Sequence, residues 1–451
     1  ASDKLIIYEL HVGTFTPEGT FEAIIPCLPR LRDLGVTALE LMPVAQFPGE
    51  RNWGYDGVYP YAVQNSYGGP AGLFRLVNAC HRLGMAVIVD VVYNHLGPEG
   101  NYTGDFGPYC TDQYRTPWGG AMNFDQCDCD PVREFFIQNS LFWVTAYHID
   151  ALRLDALHAV VDTSASPFLA ELAEAVHDQA ARLERRVYLM AESDRNDVRF
   201  LEPPHLGGLG LDCHWLDDWH HALHTRLTKE TGGYYEDFTS WEDLAKAYRE
   251  GFVYSGQYSR FRRRRHGSSS RGIHPRRFIA FCQNHDQVGN RLQGERLSRL
   301  ISFSGLKLAA AAVILSPFTP LLFMGEEYGE TAPFLYFVSH GDPELIAAVR
   351  RGRAQEFAAF DWAEEPPDPQ SPETMAASRL NGELGRQEPH RSLWLYYQEL
   401  LRLRRQMITG VELGAQPPQV SDRPRQEVLR LHYAGDEQDY CVLLGFSTRP
   451  Q

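Results

Sequence analysis

Eight short apolar runs, separated by segments with helical spacing, constrain the fold of this chain more than any other feature of its sequence. The runs are rich in β-branched and aromatic residues, which favour strands. They are Leu5–Val12, Ala38–Val44, Ala86–Val92, Ile149–Leu154, Val187–Ala191, Leu209–Trp215, Arg277–Cys282 and Leu321–Gly325. Strands that alternate with helices form parallel sheets, and eight such strands close into a barrel. The pattern therefore predicts an α/β fold, a (β/α)8 TIM barrel.

The segments between the runs support this prediction. Glu22–Leu34 and Gly72–Leu83 have helical apolar spacing, and each stops at a glycine, the residue that most often ends a helix. Further helices are predicted at Pro131–Tyr147, Pro167–Leu183, Leu306–Pro317 and Ser392–Gln406.

The domain organisation follows from the lengths of the connections. We expect residues 1–407 to form the barrel, with an excursion at residues 93–130, because that connection is too long and too rich in Gly, Pro and Tyr for a simple loop. Glu364–Glu388 is predicted to be an irregular insertion. Residues 408–451 are predicted to form a short C-terminal β region, in which Glu427–Tyr433 and Tyr440–Phe446 alternate like a hairpin.

Composition limits the classes of partner. The net charge of −15 argues against nucleic acid and against an anionic membrane surface. The basic run Arg260–Arg277 is therefore interpreted as a solvated loop. No apolar run reaches membrane-spanning length, and no leader-like segment opens the chain. Several of the eight cysteines lie inside apolar helix or strand patterns, so we expect buried free thiols. We expect a cytoplasmic protein with no membrane partner.

Residues that carry chemistry stand at the ends of four predicted strands. These ends are Asp90-Val-Val-Tyr-Asn-His95, Arg153-Leu-Asp155, Met190-Ala-Glu-Ser-Asp194 and Gln283-Asn-His-Asp-Gln287. Active sites of such barrels are built at the C-terminal ends of the strands, so we expect these side chains around one mouth.

Three carboxylates at these ends suit the cleavage of an acetal, which needs a carboxylate nucleophile and a protonated acid. Arg153 and Asp155 point the same way from one strand, and a neighbouring cation keeps a carboxylate ionised, so Asp155 suits the nucleophile. Glu192 lies beside apolar residues and other anions, which predicts a raised pKa and the role of proton donor. Asp286 is available to hold sugar hydroxyls, and His95 and His285 are suitable hydrogen-bond donors to the same sugar. A purely structural Arg153–Asp155 ion pair is the alternative, which the other strand ends disfavour.

The four segments resemble the signature regions of the α-amylase superfamily of retaining α-glucan enzymes, and the resemblance extends from Tyr8 to about Tyr328. Other segments resemble the maltooligosyltrehalose trehalohydrolase family within that superfamily. They are Trp53–Val58, Ser66–Pro70, Thr116–Gly119, Asn123–Asp125, Ala191–Asp197, Trp215–His224, Gly233–Tyr235, Gln283–Arg291 and Phe323–Glu327.

The resemblance implies roles for individual residues. Asp155 would be the nucleophile, Glu192 the general acid/base and Asp286 the stabilising carboxylate. Tyr55, His95, Arg153 and His285 would surround the cleaved sugar, and Trp215, Asp218 and His221 would hold the trehalose end. The implied reaction is retaining hydrolysis of the α-1,4 bond next to the terminal trehalose of maltooligosyl trehalose, which releases trehalose and a maltooligosaccharide.

The resemblance also sets expectations about metals and domains. Asn94 matches a metal ligand of calcium-dependent amylases, but a full set of calcium ligands is not seen, so no metal and no cofactor is expected. The family usually carries an N-terminal β-sandwich domain, whereas the first predicted strand here begins near residue 1, and the C-terminal β region looks shortened.

Two other functions remain open at this stage. A glycogen-branching or debranching enzyme of the same superfamily would share the three carboxylates and differ in its product, although Thr116–Gly119 and Trp215–His224 argue against it. A catalytically silent barrel that binds a glucan or a protein is disfavoured by the intact set of Asp155, Glu192 and Asp286.

Overall fold

The computed structural model describes residues 5–357, 366–411, 418–435 and 438–447. Its centre is a closed barrel of parallel strands, in which each strand pairs with the next barrel strand along the chain and the last pairs with the first. The first to eighth strands are Ile7–Leu10, Ala38–Leu41, Ala86–Val91, Ala151–Leu154, Tyr188–Ala191, Cys213–Trp215, Phe278–Ala280 and Thr319–Phe323. All eight fall on predicted runs, and only the eighth begins earlier than predicted. The predicted (β/α)8 barrel is confirmed.

Residues that face the inside of the barrel form two layers, because side chains alternate along a strand. The lower layer is an apolar cluster of Ile7, Ala38, Ile88, Ala151, Met190, Cys213, Trp215, Ile279, Phe281 and Leu321. Two positions further along, five strands carry buried charged residues, namely Glu9, Glu40, Asp90, Arg153 and Glu192. Buried charges require partners, so the acidic side chains and the arginine of this upper polar layer must stabilise one another.

Helices cover the outside of the barrel. They are Val12–Phe15, Phe21–Ile24, Leu28–Leu34, Gly69–Arg82, Asp130–Ala146, Phe168–Arg182, Asp217–Thr228, Trp241–Glu250, His285–Gly289, Leu297–Leu300, Phe303–Ile314, Pro343–Phe357, Pro372–Ala377 and His390–Val411. The predicted helix Glu22–Leu34 is divided by a 3-10 turn at Ile25–Cys27. Pro26 lies in this turn and has no backbone N–H, so it cannot continue the hydrogen-bond ladder.

The connection after the third strand leaves the barrel and returns at helix Asp130–Ala146. It contains an antiparallel pair, Cys110–Thr116 with Gly119–Met122, whose turn carries Trp118. Glu99 ties this connection to the far side of the mouth, because its carboxylate accepts hydrogen bonds from His340 Nδ1 at 3.2 Å and from the Gly341 amide at 2.8 Å.

A three-stranded antiparallel sheet follows the last helix. Its strands are Gln419–Arg423, Val428–Tyr433 and Tyr440–Gly445, so the predicted hairpin is present and one further strand precedes it. The sheet is attached to the barrel helices: the Tyr433 hydroxyl donates to the Leu315 carbonyl at 2.8 Å. Helix His390–Val411 runs through the boundary predicted at residue 407, and residues 412–417, 436–437 and 448–451 of the predicted β region lie outside the described residues.

Three expectations about loops and cysteines need correction. Within the basic run, Tyr258–Ser259 pairs with Arg264–Arg265, and Arg262 makes an ion pair with Asp194 at 2.8 Å rather than being fully solvated. Glu364–Glu388 contains the helix Pro372–Ala377, while its first two residues lie outside the described part of the chain. The cysteines are free, but only Cys80, Cys213 and Cys282 are buried, and Cys110, Cys127 and Cys441 are exposed. Among the described residues, no helix has both the length and the apolar character needed to span a bilayer.

Arg404 joins the last helix to the barrel. Its side chain is 2% exposed, and Nη1 donates to the carbonyls of Ile314 and Ser316, both at 2.7 Å, just before the eighth strand. Nη2 donates to the Phe318 carbonyl. One buried guanidinium therefore satisfies three backbone acceptors that have left helix Phe303–Ile314.

We expect the substitution Arg404→Met to lower the free energy of unfolding by about 3 kcal/mol or more, because methionine fills the space but leaves these buried carbonyls unpaired. Urea denaturation followed by fluorescence measures the loss. Arg402→Met is the matched control on the same helix, since Arg402 is half-exposed and pairs only with Glu399, and it should leave the midpoint unchanged. Equal urea midpoints for the two variants would show that the hydrogen bonds of Arg404 do not stabilise the attachment of helix His390–Val411.

Candidate active site

The C-terminal ends of the strands open into a cavity of about 400 Å³, called the mouth cavity below. Five of the predicted site residues line it, namely Tyr55, His95, Asp155, Glu192 and Asp286. They come from the loop after the second strand and from the ends of the third, fourth, fifth and seventh strands. The structure thus brings together the three carboxylates that were predicted from separate strand ends.

Arg153 lies under the floor of the mouth cavity and is fully buried. Its Nη1 lies 2.7 Å from Asp90 Oδ2 and 2.6 Å from Asp155 Oδ1, and its Nη2 lies 3.4 Å from Glu192 Oε2. Burial opposes the charge of the guanidinium, but these carboxylates outweigh it and raise the pKa of Arg153. One permanent cation is therefore shared by three acids.

Glu192 differs from Asp155 in its surroundings. Its Oε2 accepts a hydrogen bond of 2.6 Å from the Ala156 amide, which points at it because Ala156 has left-handed backbone geometry with φ of 46°. Burial raises the pKa of Glu192, Arg153 opposes this rise, and the negative charge of Asp155 adds to it. A carboxyl group that keeps its proton to higher pH can act as a general acid.

Asp286 is the most accessible of the three carboxylates, with 41% of its side chain exposed. It lies in the short helix His285–Gly289, whose first residue follows Asn284, and the Asn284 side chain caps the helix by accepting from the Gln287 amide at 2.8 Å. Asn290 Nδ2 donates to Asp286 Oδ1 at 3.3 Å. Asp286 Oδ2 lies 3.4 Å from His285 Nε2, so a solute hydroxyl near one of these groups would also meet the other.

Tyr55 and His285 form one wall of the site, with their ring centroids 5.2 Å apart. The Tyr55 hydroxyl donates to Asp90 Oδ2 at 2.7 Å and lies 2.7 Å from His285 Nε2. The other ring nitrogen of His285 contacts Glu9, a buried residue that the sequence analysis did not select. The alternation of side chains along a strand could have identified it, because Glu9 is two positions beyond the inward-facing Ile7 and therefore also points into the barrel.

His95 does not offer a free donor, which corrects the expectation that it donates to a sugar hydroxyl. Nε2 lies 2.9 Å from the Tyr55 carbonyl, and Nδ1 lies 3.0 Å from Asn94 Nδ2, so both nitrogens have partners within the protein. Burial lowers the pKa of His95. Its ring stacks on Trp118 at 4.9 Å, and Trp118, 46% exposed, presents an aromatic face to the mouth cavity. Within the described residues, no group of three His, Cys, Asp or Glu side chains could hold a metal ion.

A second cavity of about 310 Å³ adjoins the mouth cavity, and both are lined by Asp286 and Asn290. The predicted residues Asp218 and His221 belong to this second cavity. Its other walls include Asp194, Asp217, Tyr234, Asp237 and Arg262. Asp286 therefore lies between the two cavities, whereas Asp155 and Glu192 line the mouth cavity alone.

Asp218 and His221 shape the wall of the second cavity in different ways. Asp218 Oδ2 accepts from Asn196 Nδ2 at 2.7 Å and from the amides of Val253 and Tyr254 at 2.8 Å, which fixes the neighbouring loops. Burial raises the pKa of Asp218 to about 6. The His221 ring lies 4.6 Å from that of Tyr234, and burial lowers the pKa of His221 to about 3, so the ring is uncharged at neutral pH.

Trp215 lines neither cavity, which corrects the expectation that it contacts the trehalose end. It is 1% exposed because the sixth strand points it into the barrel. The guanidinium carbon of Arg153 lies 4.6 Å from its ring centroid, a cation–π contact. Trp215 thus supports the cation rather than a ligand.

The segment after the eighth strand completes the mouth cavity, and no sequence motif predicted its residues there. Arg353, on helix Pro343–Phe357, donates to Asn290 Oδ1 at 3.1 Å and to the Gly289 carbonyl at 3.0 Å, and its guanidinium lies 4.8 Å from the Tyr336 ring centroid. Both side chains line the mouth cavity.

Comparison with known proteins agrees with this geometry. Residues 6–116 match the family model described as alpha amylase, catalytic domain. The chain is 49% identical over 404 residues to a malto-oligosyltrehalose trehalohydrolase of Saccharolobus solfataricus, an alignment that covers 90% of this chain and 69% of that protein. It is 48% identical to the protein of the same name from Arthrobacter ramosus, with 89% of this chain and 70% of that protein covered.

Among solved structures, a Salmonella typhimurium protein assigned as an α-amylase matches with a TM-score of 0.92 and 40% sequence identity. The match covers 99% of this chain and 76% of the other. The barrel, the three carboxylates at its mouth and these extended identities agree. The chain belongs to the malto-oligosyltrehalose trehalohydrolase family, within the α-amylase group of glycoside hydrolases.

Proposed function

We propose that this protein hydrolyses the α-1,4 bond next to the terminal trehalose of maltooligosyl trehalose and releases trehalose and a maltooligosaccharide, with retention at the anomeric carbon. The observation that carries the proposal is that Asp155, Glu192 and Asp286 line one cavity, and that Asp286 also lines a second cavity beside it. A bond held beside these acids would have one part of the substrate in each cavity. The names of the relatives support the choice of trehalose as the part that leaves.

The proposed reaction has two steps. Asp155 attacks the anomeric carbon while Glu192 donates its proton to the oxygen of the departing trehalose, which leaves a glycosyl ester on Asp155. Water then gives a proton to Glu192 and attacks the same carbon, which frees the maltooligosaccharide and restores both carboxyl groups. Arg153 holds Asp155 and Glu192 at fixed positions throughout, because it contacts both.

The remaining site residues would bind the substrate. In this proposal Asp286, Tyr55, His95 and His285 surround the sugar that is attacked, and Trp118 offers an aromatic face to the glucan. The second cavity, with Asp218 and His221, would hold trehalose, a neutral sugar whose hydroxyls can donate to the carboxylates of the wall. Catalysis is assigned to the barrel and its excursion, and the free cysteines suit a reducing, cytoplasmic setting.

The first prediction concerns the products. Incubation with maltotriosyl trehalose should release free trehalose and maltotriose, whereas maltopentaose, which offers the second cavity no trehalose, should be cleaved slowly. Chromatography of both mixtures measures this difference. Comparable cleavage of the two substrates would indicate a general α-glucanase, and new α-1,6 branches would indicate a branching enzyme.

The second prediction separates the roles of the two acids. Asp155→Asn should abolish turnover of every substrate, whereas Glu192→Gln should retain the first step with a maltooligosyl fluoride, because fluoride leaves without protonation. Stopped-flow measurement of fluoride release tests both variants, with the unfolding midpoint as a check on folding. In the wild type, activity on maltotriosyl trehalose should fall as the pH rises through the raised pKa of Glu192, since the acid then loses its proton. Equal loss of fluoride release in both variants would contradict the assignment.

The third prediction concerns the second cavity. His221→Ala removes part of its wall, and we expect KM for maltotriosyl trehalose to rise about 10-fold, which corresponds to about 1.4 kcal/mol of binding. Initial-rate kinetics should show little change with maltopentaose. His205→Ala is the control, because His205 is exposed and lines neither cavity. An equal effect of His221→Ala on both substrates would place trehalose elsewhere.

A further inference from the structure

Glu9 holds His285 at two points, although it lines neither cavity and is only 1% exposed. One carboxylate oxygen, Oε2, accepts from the backbone amide of His285 at 3.1 Å, and the other, Oε1, contacts ring nitrogen Nδ1. Because the carboxylate contacts both the backbone and the ring of His285, it restricts the ring to a single orientation. These two contacts connect the first strand of the barrel to the segment after the seventh strand.

The other ring nitrogen of His285 lies next to Tyr55 and Asp286, two residues that line the mouth cavity. Nε2 lies 2.7 Å from the Tyr55 hydroxyl and 3.4 Å from Asp286 Oδ2. The Tyr55 hydroxyl has one proton, and it lies 2.7 Å from Asp90 Oδ2, which also contacts Arg153. If that proton is donated to Asp90, then Nε2 must itself carry a proton to bond to Tyr55. With Nδ1 protonated toward Glu9, the ring is then an imidazolium.

The charged groups around the ring favour the same state. Those that face it from neighbouring elements are Glu9, Glu40, Asp90, Arg153, Asp286 and His11. Burial opposes a charge on the ring, and Arg153 adds to this, but Asp286 and Glu9 outweigh them and raise the pKa of His285 to about 9. Of these two carboxylates, only Glu9 is buried with the ring and bonded to it, whereas Asp286 is partly exposed.

We propose that Glu9 is a positioning residue that fixes the ring of His285 and keeps it an imidazolium, so that Nε2 donates a hydrogen bond to the Tyr55 hydroxyl and holds the Tyr55 ring at the wall of the mouth cavity. The inference rests on the proposed function, in which the mouth cavity holds the sugar that is attacked. Nε2 also lies 3.4 Å from Asp286 Oδ2, so the same ring contacts two side chains that would bind that sugar. Without the anion at Nδ1, the ring is neutral at working pH, and Nε2 can present a lone pair where a donor is required.

The test compares Glu9→Gln with Glu40→Gln in the full chain. Glu40 lies in the same polar layer and is as buried as Glu9, and its Oε2 has no hydrogen-bond partner among the described residues. Burial and the neighbouring Glu9 raise the pKa of Glu40, which favours its neutral form, and glutamine is a neutral side chain of the same shape. The control thus reproduces the chemical substitution without touching His285.

Two measurements are made on each variant. NMR of the protein labelled with 13C at histidine Cε1 gives the titration of His285, whose signal is assigned by its loss in His285→Gln. In Glu9→Gln we expect His285 to titrate about one pH unit or more below the wild type. The turnover number for maltotriosyl trehalose should fall on the order of 10-fold to 100-fold, as for other partners that orient a functional histidine, with KM changed much less. Glu9→Asp should recover part of both, and Glu40→Gln should match the wild type.

Each other outcome is informative. An unchanged titration of His285 in Glu9→Gln overturns the inference, and so does unchanged turnover. If Glu9→Gln does not fold, the wild-type titration decides, because a His285 that is neutral at pH 7 overturns the inference by itself. Failure of the proposed function is distinct, since it appears as a wild-type protein that releases no trehalose, whatever His285 does.

Discussion

The structure depends on one buried cation. Arg153 lies inside the barrel with no exposed surface and contacts Asp90, Asp155 and Glu192. Three acids in an apolar interior would repel one another and take up protons, and an arginine without them would be equally costly to bury. The barrel holds Arg153 and the acids within contact distance, because they lie on adjacent parallel strands or directly after them. The contacts of Arg153 therefore belong both to the barrel core and to the candidate active site.

The shared cation does not make the acids equivalent. Arg153 lies 2.6 Å from Asp155 but 3.4 Å from Glu192, and only Glu192 faces the Ala156 amide. Burial raises the pKa of Glu192 despite the cation, and the negative charge of Asp155 adds to the rise. In the proposed reaction, two carboxylates on one guanidinium therefore take different roles, one as the nucleophile and one as the proton donor. Trp215 covers the face of the guanidinium and so keeps water from screening it.

The sequence predicted the barrel and the grouping of the carboxylates, because both follow from local rules: alternation within strands and chemistry at their C-terminal ends. It did not predict Glu9 or Arg353. Glu9 and His285 are 276 positions apart, and no local pattern shows which buried acid faces which histidine. The prediction for Trp215 was wrong because a sequence motif identifies a residue but does not show which way its side chain points. His95 was misjudged because its two nitrogens are occupied by Asn94 and by the backbone of Tyr55, contacts that only the folded loops create.

The second cavity has a wall that is mainly acidic. Asp194, Asp217, Asp218 and Asp237 line it, and Arg262 neutralises only Asp194 by direct contact. Burial, together with the charges of Glu192 and Asp286, raises the pKa of Asp217, which favours the protonated form that can donate a hydrogen bond. Such a wall repels phosphates and other anions but offers both senses of hydrogen bond to hydroxyls. The acidic wall is therefore compatible with the neutral, hydroxyl-rich disaccharide proposed above, which carries no negative charge to be repelled.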